Sequence, residues 1–373
     1  MGAVGNAKRF PSGCGKPIPF AVFQAGVDLT FATLADSCLA SLSLRPTTAR
    51  QWRGLVKNHL APRFGRLKPA EIERKAIRDF IEKLGQGTPV LAARAFEVMR
   101  RIFSWAMEHE EIKGSPFVGL RKPEKVQDAD SVERDRRLSR QEIHAVFSAL
   151  QRPRFKLNGF DQYVRLLFEM AVRREELLKA TWKEVDHGAK FFTIGTLRYK
   201  SKKPHQVPLT RAAEAAFLAL KRQDSAKAHL AALVEQMRSA DGHEREALES
   251  EADTLKKRIE EVATSPYVFP GPDTSRPRSS PQRVFGELRR QVGFEDWTLH
   301  DIRRTAANEL DRLGVAPHIK EAILGHAPDK LMRTYSKHVP LPEMRRALEA
   351  WSEELGRIIE EAPSVHEFQT KTA

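Results

Sequence analysis

"KFFTIGTLRYKSKKPHQVPLT", residues 190–210, is where the spacing of the chain shifts from helix to strand. Within it, "KFFTIGT" and "HQVPLT" read as two short strands, with "LRYKSKKP" as the hairpin between them. Upstream, "SRQEIHAVFSAL" opens a helix with Ser139 three residues before Glu142, the spacing of a capping box. "DQYVRLLFEMAVRREELLKATW" continues in helices, and helices resume after the hairpin to the end of the chain. The expected fold is therefore mainly α, with a small antiparallel sheet set into the second of two domains.

The first domain reads as all helix. "TFATLADSCLASLS" places Phe31, Leu34, Ala35, Cys38 and Leu39 on one face. "RPTTARQWRGLVKNHLAPRFG" predicts a second helix, with Thr47 as N-cap and Pro62 beyond its end. "KAIRDFIEKLGQG" predicts a third, stopped at Gly85 and Gly87. A long fourth follows, capped by Thr88 with Pro89 in its first position. Residues 1–30 are rich in Gly and Pro and predict little regular structure. Residues 122–137, charged and aperiodic, predict an interdomain linker.

Charge narrows the partner. The chain of 373 residues carries 63 Lys+Arg against 49 Asp+Glu, a net +14. The excess lies in residues 1–130 (net +8) and 131–222 (net +10), which suits a polyanion held from two sides, most often nucleic acid. Residues 223–264 are net −4 and would be repelled by phosphates. In that stretch Leu230, Leu233 and Met237, then Leu248, Ala252, Leu255, Ile259 and Val262, form a narrow apolar stripe. The spacing fits a helical hairpin turning near Gly242 or one long helix. Two cysteines, Cys14 and Cys38, exclude a disulfide framework or a cysteine zinc cluster and suit a reducing cytoplasm. No apolar run reaches the roughly 18 residues that cross a membrane. "SGCGKP" is not a phosphate loop: Phe10 stands where its first glycine belongs, and Pro17 where a magnesium-binding hydroxyl belongs. The carboxylates and histidines show no metal-ligand spacing, so no cofactor is expected.

Four short signals carry chemistry. In "AVRREEL" Arg173 stands three residues before Glu176. Lys200 lies in the hairpin turn. "LHDIRRT" sets His300 and Arg303 at i, i+3. "ILGHAPDKLMRTYSKH" sets Tyr335 nine residues after His326, in a polar, arginine-containing segment that is an odd place for a core ring. Singly each is weak. In this order they resemble the tyrosine recombinase (phage integrase) family. "MAVRREELLKATWKEVD" is similar to its first arginine box, with Met170-Ala171-Val172 where Thr-Gly-Leu is usual. "YKSKKPHQVPL" is similar to the lysine hairpin, "LHDIRRTAA" to the His-x-x-Arg box, and "LGHAPDKLMRTY" to the Leu-Gly-His box with its nucleophile. "LRPTTARQWRGLVKNHLAPRFG" and "RIFSWAMEHEEIKGSPF" resemble the family's helical core-binding domain.

The resemblance implies a two-domain architecture: a flexible segment (1–30), a core-binding domain (31–121), a linker (122–137), a catalytic domain (138–345) with an insertion at 223–264, and a C-terminal tail (346–373). It implies a DNA-breaking and rejoining enzyme of the cytoplasm and nucleoid, acting on double-stranded DNA as a tetramer on two sites. Tyr335 would be the nucleophile. Arg173 and Arg303 would neutralise the phosphate, with His300, His326 and Lys200 handling protons and hydrogen bonds, and Glu176 orienting its neighbours. Because one phosphoester replaces another, the exchange would need neither ATP nor metal. In "LPEMRRALEAWSEELGRIIEE", Leu348, Trp351, Leu355, Ile358 and Ile359 lie at helical spacing. They would serve either docking on a neighbouring subunit, as the resemblance implies, or packing on their own domain. A type IB topoisomerase-like activity and a silent DNA-binding regulator are the competing readings.

Overall fold

The computed structural model describes residues 29–127, 135–156, 159–196, 204–326 and 339–361. The chain divides into two compact units, Met1–Arg134 and Asp135–Ala373.

In the first unit, helix α1 (Phe31–Ser41) buries all five residues expected on its inner face. Its start is closed by a pair of threonines. Thr33 N–H donates to the Thr30 hydroxyl at 3.3 Å, and Thr30 N–H donates to the Thr33 hydroxyl at 3.0 Å. Helix α2 (Pro46–Leu55) corrects the expected cap. Arg45 is the N-cap, and Pro46 takes the first helical position, where no N–H is needed. Nor does the helix stop before Pro62. It passes through a π turn, Val56–Leu60, into α3 (Ala61–Phe64), which contains the proline. The Ala61 N–H reaches back to Val56 O, so the hydrogen-bond ladder is already displaced where Pro62 has no donor to give. Helices α4 (Arg74–Gly85) and α5 (Pro89–Glu108) complete the bundle. Thr88 stands at the N-cap of α5, but its hydroxyl donates to Leu84 O at 3.1 Å, joining the two helices. Phe31 stacks on Phe103 and meets Phe64 edge-on in the core.

The expected linker is not structureless from its first residues. Glu124–Gln127 forms a helical turn, α6, and Val126 is fully buried against this core. The approach depends on Gly85: a Cβ there would lie 2.8 Å from Val126 Cγ2. One apolar residue in a charged stretch suffices when a glycine leaves it room.

The second unit is helical around a three-stranded antiparallel sheet in the order β1-β2-β3. Helices α7 (Arg140–Leu150), α8 (Pro153–Lys156), α9 (Phe160–Met170) and α10 (Arg174–Leu178) come first. Ser139 and Glu142 form the predicted capping box of α7. The strands are β1 (Val185–Asp186), β2 (Phe191–Ile194) and β3 (His205–Pro208); the two-residue β1 was not legible as a strand. Phe192 pairs with Val207, and both are fully buried.

Helix α11 (Arg211–Arg222) leads into α12 (Asp224–Met237) and α13 (Gly242–Ala263), which pack on each other. The acidic stretch is thus a hairpin, as one of its two readings had it. Its seam buries only Leu233 and Ala252 fully. Helices α14 (Gln282–Val292), α15 (Leu299–Arg312), α16 (Pro317–Leu324) and α17 (Leu341–Glu360) follow.

Helix α17 fits the second of the two readings of its apolar stripe, packing on its own domain; residues 362–373 of the tail lie outside the described residues. Leu348, Trp351, Leu355 and Ile358 are buried in the core of their own unit, and Ile359 packs against it. The Trp351 indole N–H donates to Phe168 O at 2.7 Å, satisfying the one polar atom of a fully buried ring. On the same helix Glu354 accepts hydrogen bonds from Arg140 of α7, Arg312 of α15 and Arg357. These guanidinium bonds, Arg140 first, hold its carboxyl below the usual range. Among the described residues no helix is long and apolar enough to cross a membrane.

Candidate active site

Helix α9 ends at Met170, and Ala171 turns the chain with left-handed torsions, φ 50° and ψ 26°. A residue with a Cβ adopts these at a cost of roughly 1–2 kcal/mol; this is where the resemblance had led to glycine being expected. Arg173 follows in extended conformation, as the N-cap of α10 rather than a helical residue as the spacing suggested. Its backbone N–H donates to Glu176 Oε2 and its Nη1 to Oε1, both at 3.0 Å. One buried carboxylate therefore caps the helix and clamps the guanidinium. The Arg173 side chain remains 30% exposed, enough to meet a ligand.

Helix α15 is anchored by Asp301, which is wholly buried. It accepts from the Thr298 N–H (2.8 Å) and hydroxyl (2.9 Å), and from Arg304 Nη1 (2.7 Å). This fixes the first turn, from which Arg303 and His300 project. Arg303 is buried. Its Nη1 donates to Ala171 O at 2.7 Å, and its Nη2 donates to Leu324 O and lies 3.1 Å from His326 Nε2. The left-handed turn before Arg173 thus supplies a carbonyl to the second arginine. His300 faces solvent, yet its ring is held below the ordinary histidine value. Partial desolvation is the main cause, then the charges of Arg304, Arg303 and Arg173, with Asp301 opposing.

At the end of α16, Gly325 adopts φ 59° and ψ 39°, and the His326 N–H closes back on Glu321 O at 3.0 Å. This is the left-handed helix stop that favours glycine. It swings His326 towards Arg303. A guanidinium only donates, so His326 Nε2 accepts from Arg303 and Nδ1 carries the proton towards Glu321 Oε2, 2.5 Å away. In this arrangement His326 donates to a phosphate only after Nε2 gains a proton.

The cluster brings Arg173 with Glu176, and Arg303 with His326, and puts His300 in the field of both arginines. Lys200 and Tyr335 lie outside the described residues. Three participants had no sequence signal. Glu321 is five residues before His326, a spacing that becomes contact only because the helix ends between them. Asp301 lies in the first turn of a helix, where an acid is common and marks nothing. His205 sits within a strand, buried, with Nε2 at 3.0 Å from Ala322 O. Burial holds its imidazole below the ordinary value. The Ala322 carbonyl and Glu176 oppose this, and Arg303 and Arg173 add to it, so it senses the same charges.

Residues 136–340 match the phage integrase family, and residues 31–123 match the phage integrase central domain. The prophage integrase IntZ of Escherichia coli strain K12 is 22% identical over 322 residues, spanning 83% of this chain and 67% of that protein. Among solved structures, a lambda integrase (75-356) dimer bound to a COC' core site aligns with TM-score 0.57 and 14% identity, over 82% of this chain and 95% of that one. The Tn1549 transposon integrase (aa 82-397) in complex with circular intermediate DNA aligns with TM-score 0.56 and 14% identity, over 87% of this chain and 99% of that one. The family match, which the fold accompanies, defines a tyrosine-type site-specific recombinase. The chain belongs to the phage integrase family.

Proposed function

We propose that this recombinase cuts and reseals double-stranded DNA through a covalent 3′-phosphotyrosyl bond at Tyr335. The observation that carries the reading is the convergence of three segments far apart in the chain on two guanidiniums. Arg303 is held by Ala171 O, Leu324 O and His326, and Arg173 by Glu176. Arg173, 30% exposed, can meet a non-bridging oxygen of one phosphodiester, and the positive charge of the buried Arg303 stabilises the charge that grows there as a fifth oxygen approaches phosphorus.

In the proposed step the Tyr335 oxygen attacks phosphorus and the bond to the 5′ oxygen breaks. A free phenol has a pKa near ~10, so it must shed its proton as it attacks. His300, kept neutral by its surroundings, accepts it. Lys200 gives a proton to the departing 5′ oxygen. A 5′-hydroxyl from a second strand then attacks the phosphotyrosine, returning the proton and exchanging partners. One lambda integrase match is a tetramer bound to a Holliday junction, with TM-score 0.55 and 14% identity over 83% of this chain and 78% of that one. A four-copy assembly on two DNA sites, acting at the nucleoid, is part of the proposal.

The test uses nicked duplexes drawn from the DNA flanking the gene, in which loss of a short fragment traps the covalent product. The wild type forms a protein–DNA adduct that survives denaturation, and Tyr335→Phe forms none while binding the duplex as before. An adduct formed by the phenylalanine variant refutes the assignment. A plasmid with two sites separates strand exchange from simple relaxation.

A further inference from the structure

A cavity of about 500 Å³, lined by none of the residues of the arginine cluster, lies where the hairpin meets the loop after it. Thr254, Lys257, Arg258 and Glu261 line one wall; their spacing puts them on one stripe of α13. Pro272 and Arg278 line the other. The walls are fixed. Arg258 donates to Gly271 O at 2.6 Å and to Pro272 O at 3.0 Å, and the Ser265 hydroxyl donates to Thr274 O at 2.7 Å. Gly271 N–H donates to Arg276 O, and Arg278 N–H to Phe269 O, both at 2.9 Å.

Residues 223–264 are net acidic, which predicted repulsion of phosphates, but at this cavity the local charge is reversed and does not balance. Three cations face one carboxylate, Glu261, which is 43% exposed and 3.5 Å from Arg258. Among the described residues, neither the Lys257 ammonium nor the Arg278 guanidinium has a hydrogen-bond or ion-pair partner. Arg278 is held below the ordinary arginine value, by burial first and then by the positive charge of Arg258. Arg258, fixed by the backbone carbonyls of Gly271 and Pro272, and the partly desolvated Arg278 repel each other, a cost that a bound anion removes.

We propose that this cavity is a phosphate-binding site, in which Arg278, Lys257 and the Thr254 hydroxyl take the oxygens of one phosphoryl group. A tetrahedral anion with several acceptor oxygens suits a guanidinium fork beside an ammonium and a hydroxyl. The volume is within the roughly 300–1,000 Å³ of ligand pockets. The phosphoryl group comes either from a soluble molecule or from a duplex backbone.

Isothermal titration of the full chain with inorganic pyrophosphate tests this, alongside R278Q and K257Q. The wild type binds saturably, one per chain, and each variant binds at least about tenfold more weakly, as expected for loss of a charged hydrogen bond. If the natural source is soluble, duplex affinity and its salt slope are unchanged in R278Q. If the source is DNA, pyrophosphate competes with the duplex and the slope falls by about one in R278Q. In phosphate-free buffer R278Q melts at or above the wild-type temperature, because the repulsion is gone. Absence of saturable pyrophosphate binding, equal binding by R278Q, or a lower melting temperature for R278Q overturns the proposal. None of these readouts depends on strand cleavage, so the tyrosine chemistry stands or falls separately.

Discussion

Arg303 receives its position from main chain. It donates to the carbonyls of Ala171 and Leu324, on separate elements, and meets His326. A lysine has neither the reach nor the planar fork to satisfy all three. R303K is expected to lower the rate of adduct formation on a nicked duplex by about a hundredfold or more, the usual scale for losing one preorganised donor. Glu321 holds the proton of His326 on Nδ1. E321Q, which can present an amide N–H instead, is expected to slow the same step about tenfold, with duplex affinity unchanged. His205 carries a pH signature. Its folded form takes up a proton less readily than the unfolded chain does, so the native state binds fewer protons and stability rises with pH. That contribution is complete above the unfolded value of about 6.5 and is lost as pH falls towards the lower, folded value. H205Q keeps a donor for Ala322 O, and in urea melts it should lose less stability than the wild type between about pH 7.5 and about pH 5.5.

At the scale of elements, α17 decides whether the site has a frame. Trp351 is fully buried with its N–H on Phe168 O, and Glu354 binds arginines of α7 and α15. W351A should cost about 3–5 kcal/mol in denaturant unfolding, the scale for a large aromatic removed from a core. A helix waiting for a neighbouring subunit would show almost no loss. The sequence marked this apolar stripe correctly but left its partner open, since periodicity records which face is buried and not what buries it. The π turn at Val56–Leu60 was hidden for a related reason. Proline predicts that a ladder bond is missing, and whether the helix ends or widens depends on what packs around it.

At the scale of the whole chain, the basic excess of residues 1–222 predicts binding dominated by phosphate contacts. Duplex affinity should fall by about a thousandfold or more between about 50 and 200 mM salt, as for proteins contacting six or more phosphates. Fluorescence anisotropy with an unrelated duplex measures it; a flat salt response contradicts a polyanion grip.

Residue types, the capping box at Ser139, the switch from helical to strand spacing and the ordered chemical boxes could all be read along the chain, because each depends on neighbours within a few positions. The left-handed Ala171 carbonyl serving Arg303, the Glu321–His326 proton arrangement, the buried His205 and the unbalanced Lys257–Arg278 cavity could not. They arise where segments distant in sequence meet, and hydrogen-bond direction, desolvation and charge repulsion there follow from distances that spacing does not encode.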